Sequence, residues 1–408
     1  MSTVSRRALL GSAGAAATTA ALGDFGASGN AYALEGSPEA RTARPARPRP
    51  VAPVDQEAAA AHSIDYKALP QQVVGVDVEQ LMTVHTEADV ERIRAQLVAE
   101  VWKSADGRLP GTLPEVEQSV AAPELPAFTG LRRIDRLTVT LPYDLKSVVY
   151  LLLPRRPAGH RRFALYHNGH GETPETMQRT AQALVDAGYG VLLCAMPLYH
   201  WNPRQLRSPT DPDTMVTPES HNDLGPWESA TFSTLRFFLE PLTVAVNHVS
   251  RTHRPSSLQM IGLSGGGWTT TVYPALDPRI TRSYPTAGSL PFFLRSAPPK
   301  PSPTTGDWEQ RLDKHPVFYG ISDFPDIYAL ASVGPHRRQM QILNRFDACC
   351  FNGVGHRSYE PVVRQRIEVI GNGHWELLED ATHAEHTISP HALDVILWDL
   401  DVNCSDEP

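Results

Sequence analysis

The C-terminal two thirds of the chain alternates between two hydrophobic patterns. The first has an approximate period of two at Ile134, Leu137 and Val139 and then becomes a series of short, continuous apolar runs. Both forms are typical of β-strands, and continuous runs favour strands covered on both faces. Segments with these patterns are 132–140, 147–153, 163–166, 190–196, 257–261, 280–290, 339–344 and 375–378. A turn at Tyr143 and Asp144 separates the first two, which predicts a hairpin that opens a sheet.

The second pattern has the period of an α-helix and lies between the strand segments. Apolar residues recur at this spacing in residues 90–101, 174–188, 228–253, 358–370 and 389–400. Pro241 is expected to kink the longest of these helices. Strands that alternate with helices after an opening hairpin predict an α/β fold with three layers and a mostly parallel sheet. Residues 291–338 are rich in proline and too long for a plain connection, which predicts a lid-like insertion.

The N-terminal third has a different character. Arg6 and Arg7 resemble the pair of a twin-arginine export signal, and Ala31-Tyr32-Ala33 has the small-x-small pattern of a signal-peptidase site. The alternative is a disordered tail on a cytosolic protein. We predict a signal peptide over 1–33, a Pro/Arg-rich linker over 34–60, an N-terminal helical extension over 61–130 and a catalytic domain over 131–402.

Composition and charge exclude several partners. The formal charge is −8, from 37 basic and 45 acidic residues, and this argues against nucleic acid or an anionic membrane. A spanning helix needs about 20 predominantly apolar residues, and the only candidate is a diluted stretch near the N-terminus, so stable membrane insertion is not expected. The four cysteines form no C-x-x-C. Cys349 and Cys350 are adjacent, closer than ordinary disulfide geometry allows, and are expected to be packing residues.

The most informative motif is a serine between glycines, Gly262-Leu263-Ser264-Gly265-Gly266. It follows the strand predicted at 257–261 and precedes a short helix that must end near the proline at 278. A serine on a sharp strand-to-helix turn needs neighbours without side chains, because the backbone there is strained and the helix packs closely. Ser264 is therefore the candidate nucleophile.

An acyl-transfer serine also needs an acid and a base. Asp347 comes just after a later strand, at the sheet edge where such chemistry gathers, although an aspartate there could also cap the turn. Two histidines, His383 and His386, lie between the last strand and the last helix. His386 is favoured because it lies farther along this loop, with enough residues on either side to reach the serine. His383 remains the alternative base.

The oxyanion-binding segment is expected after the strand at 163–166, in His167-Asn168-Gly169-His170-Gly171. Together with the order Ser264, Asp347, His386, this segment resembles the α/β-hydrolases. The resemblance implies a three-layer α/β-hydrolase fold and oxyanion donors at the backbone N–H of Gly265 and of His170 or Gly171. The segment departs from the H-G-G-G pattern, so the second donor stays open between the last two. The alternative interpretation of this segment is a glycine turn with surface histidines.

Within this fold the chain most resembles secreted esterases of the acetyl-xylan-esterase and dienelactone-hydrolase type. The resemblance implies a secreted serine hydrolase that cleaves a carboxylic ester, small or polymer-borne, through an acyl-enzyme, without a cofactor. A peptidase, lactonase or acyltransferase remains open.

Two alternatives belong to other classes. A metal hydrolase would draw on histidines that the sequence spreads over different predicted elements, without an H-E-x-x-H motif, so no metal is expected. Those histidines are His356, His374, His383, His386 and His391. A non-catalytic binding protein would be expected to lose a triad member, and none is missing.

The export interpretation predicts a simple result. Replacing Arg6→Lys and Arg7→Lys together should retain the precursor in the cytoplasm, because the twin-arginine machinery reads that pair. Fractionation and immunoblotting measure the distribution. Normal export of the double variant would contradict the assignment of a twin-arginine signal.

Overall fold

A computed structural model describes residues 46–49, 68–69, 71–157, 161–295, 306–347 and 349–404. The predicted signal peptide lies outside these residues, as does the predicted linker apart from 46–49. Among the described helices, none has the length and apolar character required to cross a bilayer.

A nine-stranded sheet forms the centre of the fold. The strands of the whole described chain are β1 Glu115–Glu117, β2 Leu131–Thr140, β3 Lys146–Pro154, β4 Arg162–His167, β5 Gly190–Cys194, β6 Leu206–Arg207, β7 Met215–Val216, β8 Ser257–Leu263, β9 Arg282–Thr286, β10 Arg338–Asn344 and β11 His374–Asp380. The sheet order is β1-β2-β3-β5-β4-β8-β9-β10-β11, while β6 and β7 pair separately. Pairing is antiparallel from β1 to β5 and parallel from β5 to β11. The mostly parallel sheet predicted from the sequence is confirmed.

Helices cover both faces of the sheet. They are α1 Val78–Leu81, α2 Glu87–Trp102, α3 Pro174–Asp186, α4 Leu235–Thr252, α5 Gly265–Leu276, α6 Phe292–Arg295, α7 Pro316–Ile321, α8 Phe324–Ser332, α9 Glu360–Ile370 and α10 Pro390–Cys404. One apolar cluster packs α2, α4, α5, α8 and α9 on one face, and a second packs α3 and α10 on the other.

Strand β3 shows how the sequence builds these layers. Successive side chains of a strand point to opposite faces. Val149 and Leu151 belong to the first cluster, whereas Val148 and Tyr150 belong to the second. All four are buried. A continuous apolar run therefore serves two cores at once, which fixes the three-layer arrangement.

The helix predicted over 228–253 begins later, at Leu235. Glu228 is the reason: its carboxylate accepts hydrogen bonds from the backbone N–H and the hydroxyl of Thr234, at 2.8 and 2.6 Å. Ser229 and Phe232 pair as an isolated bridge. These contacts hold the chain in a turn where the apolar spacing alone indicates a helix.

The extension over 61–130, predicted to be helical, also contains strand β1. Its three residues are all exposed and pair with β2 at the sheet edge. No apolar alternation marks such a strand, because neither of its faces is buried.

Part of the predicted insertion belongs to the core. Every residue of α8 is buried, and the helix packs against α5. The expected lid-like role of 291–338 therefore concerns the residues before α8.

A continuous set of buried polar side chains is hydrogen-bonded together on the side of the sheet that packs against α5 and α8. The hydroxyls of Thr271, Ser289 and Tyr328 lie 3.2 and 3.1 Å apart in turn. Gln341 donates to Tyr328 at 3.1 Å and accepts from the hydroxyl of Tyr359 at 2.9 Å. Five elements or loops are joined in this way without an unpaired hydroxyl.

The N-terminal extension is fastened to α8 by one carboxylate. Asp326 is buried and accepts the backbone N–H of Thr83 at 2.9 Å, its hydroxyl at 2.6 Å and the backbone N–H of Val84 at 3.0 Å. Immediately afterwards Thr86 and Asp89 form a capping box that starts α2.

Replacing Asp326→Ala should destabilise the protein by about 1–3 kcal/mol, because the buried N–H of Val84 loses its acceptor and the two donors of Thr83 lose a partly buried one. Urea unfolding followed by circular dichroism measures the loss. Glu368→Ala, which removes an exposed carboxylate on α9, is the control and should stay within about 0.5 kcal/mol of the parent. A loss at Asp326 no larger than that of the control would show that the contact does not hold the extension.

Candidate active site

Ser264 lies on the turn between β8 and α5 with φ 59° and ψ −121°. A positive φ is uncommon for a residue with a Cβ, and such strain clusters at functional sites. The backbone N–H of Ser264 donates to the carbonyl of Thr286 in the next strand at 2.9 Å, and its carbonyl accepts from Trp268 at 2.8 Å. These bonds hold the turn, and the serine is partly exposed while its neighbours are buried.

The glycines beside Ser264 are required by close contacts. A Cβ on Gly266 would lie 1.9 Å from the carbonyl oxygen of His167, and one on Gly262 would lie 2.3 Å from the carbonyl oxygen of Gly266. Neither distance is sterically possible, so both places in the sequence motif have a physical cause.

Helix α5 begins with three glycines and three threonines, a sequence of low helix propensity. Each threonine hydroxyl donates to the carbonyl four residues earlier: Thr269 to Gly265, Thr270 to Gly266 and Thr271 to Gly267, at 2.7–3.0 Å. The helix is wholly buried. Burial therefore stabilises a helix that the sequence alone disfavours, and these bonds leave none of the three buried hydroxyls unpaired.

Asp347 and His386 lie together at the carboxyl ends of the strands. The Nδ1 of His386 lies 2.6 Å from Oδ2 of Asp347, so its N–H donates to the carboxylate. The other carboxylate oxygen accepts the backbone N–H groups of Cys349 and Cys350 at 2.7 and 3.1 Å. Asp347 is fully buried. The Nε2 of His386 is also buried and has no hydrogen-bond partner among the described residues.

His383 lies elsewhere and has another partner. Its Nε2 is 3.4 Å from the Asp380 carboxylate at the end of β11. Burial by itself would lower the pKa of His383, but the Asp380 carboxylate outweighs it and the pKa is raised. The structure therefore brings His386, rather than His383, to Asp347.

The expectation that Cys349 and Cys350 are only packing residues is wrong. The two cysteines form a disulfide, with Cα atoms 3.7 Å apart. The usual Cα limit concerns residues that the fold brings together, whereas the chain itself sets the spacing of sequence neighbours. Cys194 is a free, buried thiol.

The loop after β4 lies against the serine turn. A Cβ on Gly169 would lie 2.8 Å from the Cβ of Ser264. The N–H of Gly169 donates to the Glu172 carboxylate at 3.2 Å, and its carbonyl accepts from Nε2 of His200 at 2.8 Å. Burial raises the pKa of Glu172 to about 7. The loop is therefore held from both sides.

The three residues expected to bind the oxyanion lie in different surroundings. The ring of His170 packs over Gly265: a Cβ there would lie 2.6 Å from Cε1 and Nδ1 of the imidazole. A Cβ on Gly171 would meet open space. His167 is buried, which lowers its pKa to about 4, so this member of the segment is a neutral core histidine.

A second group of polar side chains surrounds His170. Its Nε2 lies 2.9 Å from Nδ1 of His221, and that atom lies 3.1 Å from Oε2 of Glu309. His221 and Glu309 are buried. Nothing in the sequence marks Glu309 for a role, because one acid in a long insertion has no characteristic spacing to other functional residues.

The five histidines considered for a metal hydrolase do not come together in the part of the chain that the structure describes. His356 lies 3.2 Å from Glu379, and His374 lies 3.8 Å from Glu376. Each of them, like His383 and His386, has a carboxylate of its own.

A cleft of about 390 Å³ lies beside the segment that follows the loop after β4. Its lining includes Glu124, Glu172, His200 and Trp201. Glu172 and His200 both bind Gly169, which itself lies against Ser264, so the cleft and Ser264 share the loop after β4.

Neither the models of known protein families nor the curated proteins give a match to this chain. Solved structures do. A glucuronoyl esterase from Solibacter usitatus aligns with a TM-score of 0.52 and 12% identity, over 86% of this chain and 100% of its own. The methylesterase BT1017 aligns with a TM-score of 0.51 and 13% identity, over 83% of this chain and 68% of its own. Likeness at such identities concerns the fold, and with the sheet order and the serine turn it leads to one conclusion: this chain has the α/β-hydrolase fold.

Proposed function

We propose that this protein is an exported serine hydrolase that cleaves carboxylic esters, with Ser264 as nucleophile, His386 as base and Asp347 as the orienting acid. The observation that carries the proposal is the strained Ser264 at the strand-to-helix turn, in a fold whose later strands end at a hydrogen-bonded His386–Asp347 pair. Both the local geometry and the chain order agree with this chemistry.

The mechanism follows from the donors and acceptors. The His386 Nδ1–H is committed to Asp347, so the neutral ring carries its lone pair on Nε2. Nε2 takes the Ser264 proton as Oγ attacks the ester carbonyl, and returns it to the leaving alcohol when the acyl-enzyme forms. Water, activated by the same nitrogen, then attacks the acyl-enzyme and releases the acid and the free serine.

Backbone N–H groups stabilise the negative charge on the carbonyl oxygen. The first belongs to Gly265, at the N-terminus of α5, where the helix dipole adds a favourable field. The second comes from His170 or Gly171. The hydrogen bonds that Gly169 donates to Glu172 and accepts from His200 hold the loop that carries this donor.

Three features support an ester as substrate. The two solved structures reported above are named as esterases, and esters need less leaving-group assistance than amides. The cleft beside Gly169 offers room for the acyl or the alcohol group. A peptidase, lactonase or acyltransferase on the same triad is the alternative, and a panel of substrates separates them.

Export and partners complete the proposal. The twin-arginine-like segment favours transport of the folded protein out of the cytoplasm. The partners would then be the export machinery and an ester that is either small or borne on a polymer.

Replacing Ser264→Ala should leave a folded protein whose kcat for short-chain p-nitrophenyl esters falls by roughly three to six orders of magnitude, since only the nucleophile is removed. Labelling by a serine-directed phosphonate, followed by mass spectrometry, should disappear with it. Ser119→Ala is a matched control, because Ser119 is an exposed serine with a similar φ of 56°. If Ser264→Ala kept a tenth of the activity, the nucleophile would be another residue.

The two histidines should differ sharply. His386→Ala should lower kcat by roughly three to six orders of magnitude and should be non-additive with Ser264→Ala, because residues of one catalytic unit fail together. His383→Ala should do far less, since its carboxylate partner is Asp380. Rates and circular dichroism are compared for both variants. Equal losses, or a larger loss at His383 with the fold intact, would falsify the assignment of His386.

A further inference from the structure

Three side chains from distant parts of the chain converge beside the serine turn. His170 comes from the loop after β4, His221 begins the short helix His221–Trp227, and Glu309 lies in the short helix Trp308–Gln310. Their ligand-type atoms all lie within 4.8 Å of one another. The proposed ester chemistry uses none of these side chains.

The hydrogen bonds of His221 fix where its lone pair points. Its Nε2 lies 2.7 Å from the carbonyl oxygen of Pro197, so this nitrogen carries the proton and donates it. In the neutral ring Nδ1 is then the lone-pair nitrogen. It faces Nε2 of His170 and Oε2 of Glu309, at 2.9 and 3.1 Å.

His170 repeats the same arrangement from the other side. Its Nδ1 lies 3.4 Å from a carboxylate oxygen of Asp307, and with the proton on that nitrogen Nε2 is the lone-pair nitrogen. That Nε2 is 3.7 Å from Oε1 of Glu309 and faces His221. With this tautomer two imidazole lone pairs and one carboxylate face a common place.

We propose that His170 Nε2, His221 Nδ1 and the Glu309 carboxylate bind a first-row divalent metal ion of the Zn²⁺ type. Nitrogen and oxygen ligands about 2.0–2.2 Å from a tetrahedral zinc are about 3.3–3.4 Å from one another. Here the two nitrogens are 2.9 Å apart, His221 Nδ1 is 3.1 Å from Oε2 of Glu309 and His170 Nε2 is 3.7 Å from Oε1, so the separations fall on both sides of that value. A cation also supplies the positive charge that a fully buried carboxylate such as Glu309 needs.

The surroundings are those of a built metal site. Histidines that bind metals donate their other N–H to a carbonyl or a carboxylate, and His221 and His170 face Pro197 and Asp307 in this way. The ring of Tyr199 lies 4.9 and 5.0 Å from the two imidazoles, centre to centre. This aromatic wall restricts water around the ion.

Glu309 is itself anchored to the core. Its backbone carbonyl accepts the hydroxyl of Tyr319 at 2.6 Å, and that hydroxyl accepts the indole N–H of Trp268 on α5 at 3.0 Å. The carboxylate is therefore positioned by the same helix that begins at the serine turn.

Three protein ligands leave one position of a tetrahedral ion for water or a substrate oxygen. The ring of His170, which would bind the ion through Nε2, also packs on Gly265. The ion would therefore fix the oxyanion loop to the insertion that carries Glu309.

The other cluster of possible ligands, Cys349, Cys350 and His386, does not compete. Its two sulfur atoms are bonded to each other, and Nδ1 of His386 donates to Asp347. Neither thiolate is free to bind an ion.

The test measures metal content and does not depend on turnover. The mature protein, purified without chelator, should contain about one equivalent of a first-row metal by plasma mass spectrometry. After chelation, a chromophoric competitor should report its affinity for added Zn²⁺, and Co²⁺ should give the visible absorption of a tetrahedral site. Added Zn²⁺ should also raise the Tm of the apoprotein, because the ion binds only the folded state.

Variants locate the site. Loss of an outer-shell partner costs about 10–100-fold in affinity, so Asp307→Asn should fall in that range, while His221→Ala and Glu309→Gln should lose more than about 100-fold. Glu309→Gln keeps the side-chain shape, so it serves if His221→Ala fails to fold. His374→Ala, at the opposite ends of the strands, is the histidine control and should bind normally.

Two results would overturn the proposal. If the parent protein binds less than about 0.1 equivalent in excess Zn²⁺, His221 is a metal-free imidazolium paired with Glu309. If His221→Ala and Glu309→Gln bind as well as the parent, the metal lies elsewhere. Ser264→Ala should keep its metal, so this result is separate from the outcome of the ester-hydrolase test.

Discussion

The rest of the site depends on the close approach of two backbones, the turn from β8 into α5 and the loop after β4. Gly266 passes so near the carbonyl of His167 that no Cβ fits, and Gly169 lies against the Cβ of Ser264. This approach holds the serine at positive φ and brings the loop after β4 beside it. Strain of this kind persists only where the surroundings over-determine it, and here neighbouring strands and a wholly buried helix do so.

The sequence predicts those parts of the fold whose cause is local. The serine turn is visible in one pentapeptide, and the strands that follow are visible as continuous apolar runs. The start of α4 was misplaced because one side chain, Glu228, binds Thr234 and stops the helix from extending backwards. Strand β1 was missed because it lies at an edge with all its residues exposed. The disulfide between Cys349 and Cys350 was missed because a rule for distant residues was applied to neighbours.

The chemistry around His170 shows the limit of sequence reasoning more clearly. His170 and His221 are 51 residues apart, and Glu309 is a further 88 residues along the chain. Motif recognition depends on fixed spacing within one element, and here each residue comes from a different loop or short helix. Only the folded chain brings these three side chains together. By contrast, Asp347 and His386 could be inferred because their places after particular strands are set by the fold.

The polar chain from Thr271 to Tyr359 has a consequence for how this protein can vary. Each of these side chains is hydrogen-bonded to its neighbour within the core. Replacing one of them by an apolar residue therefore leaves the neighbour buried without a hydrogen-bond partner, in a place that water cannot reach. Replacing the whole set by apolar residues of matching shape would cost far less, since no group would be left unpaired. Single-step evolution must therefore cross a less stable intermediate to change these positions, and relatives that differ here should differ at several of them together.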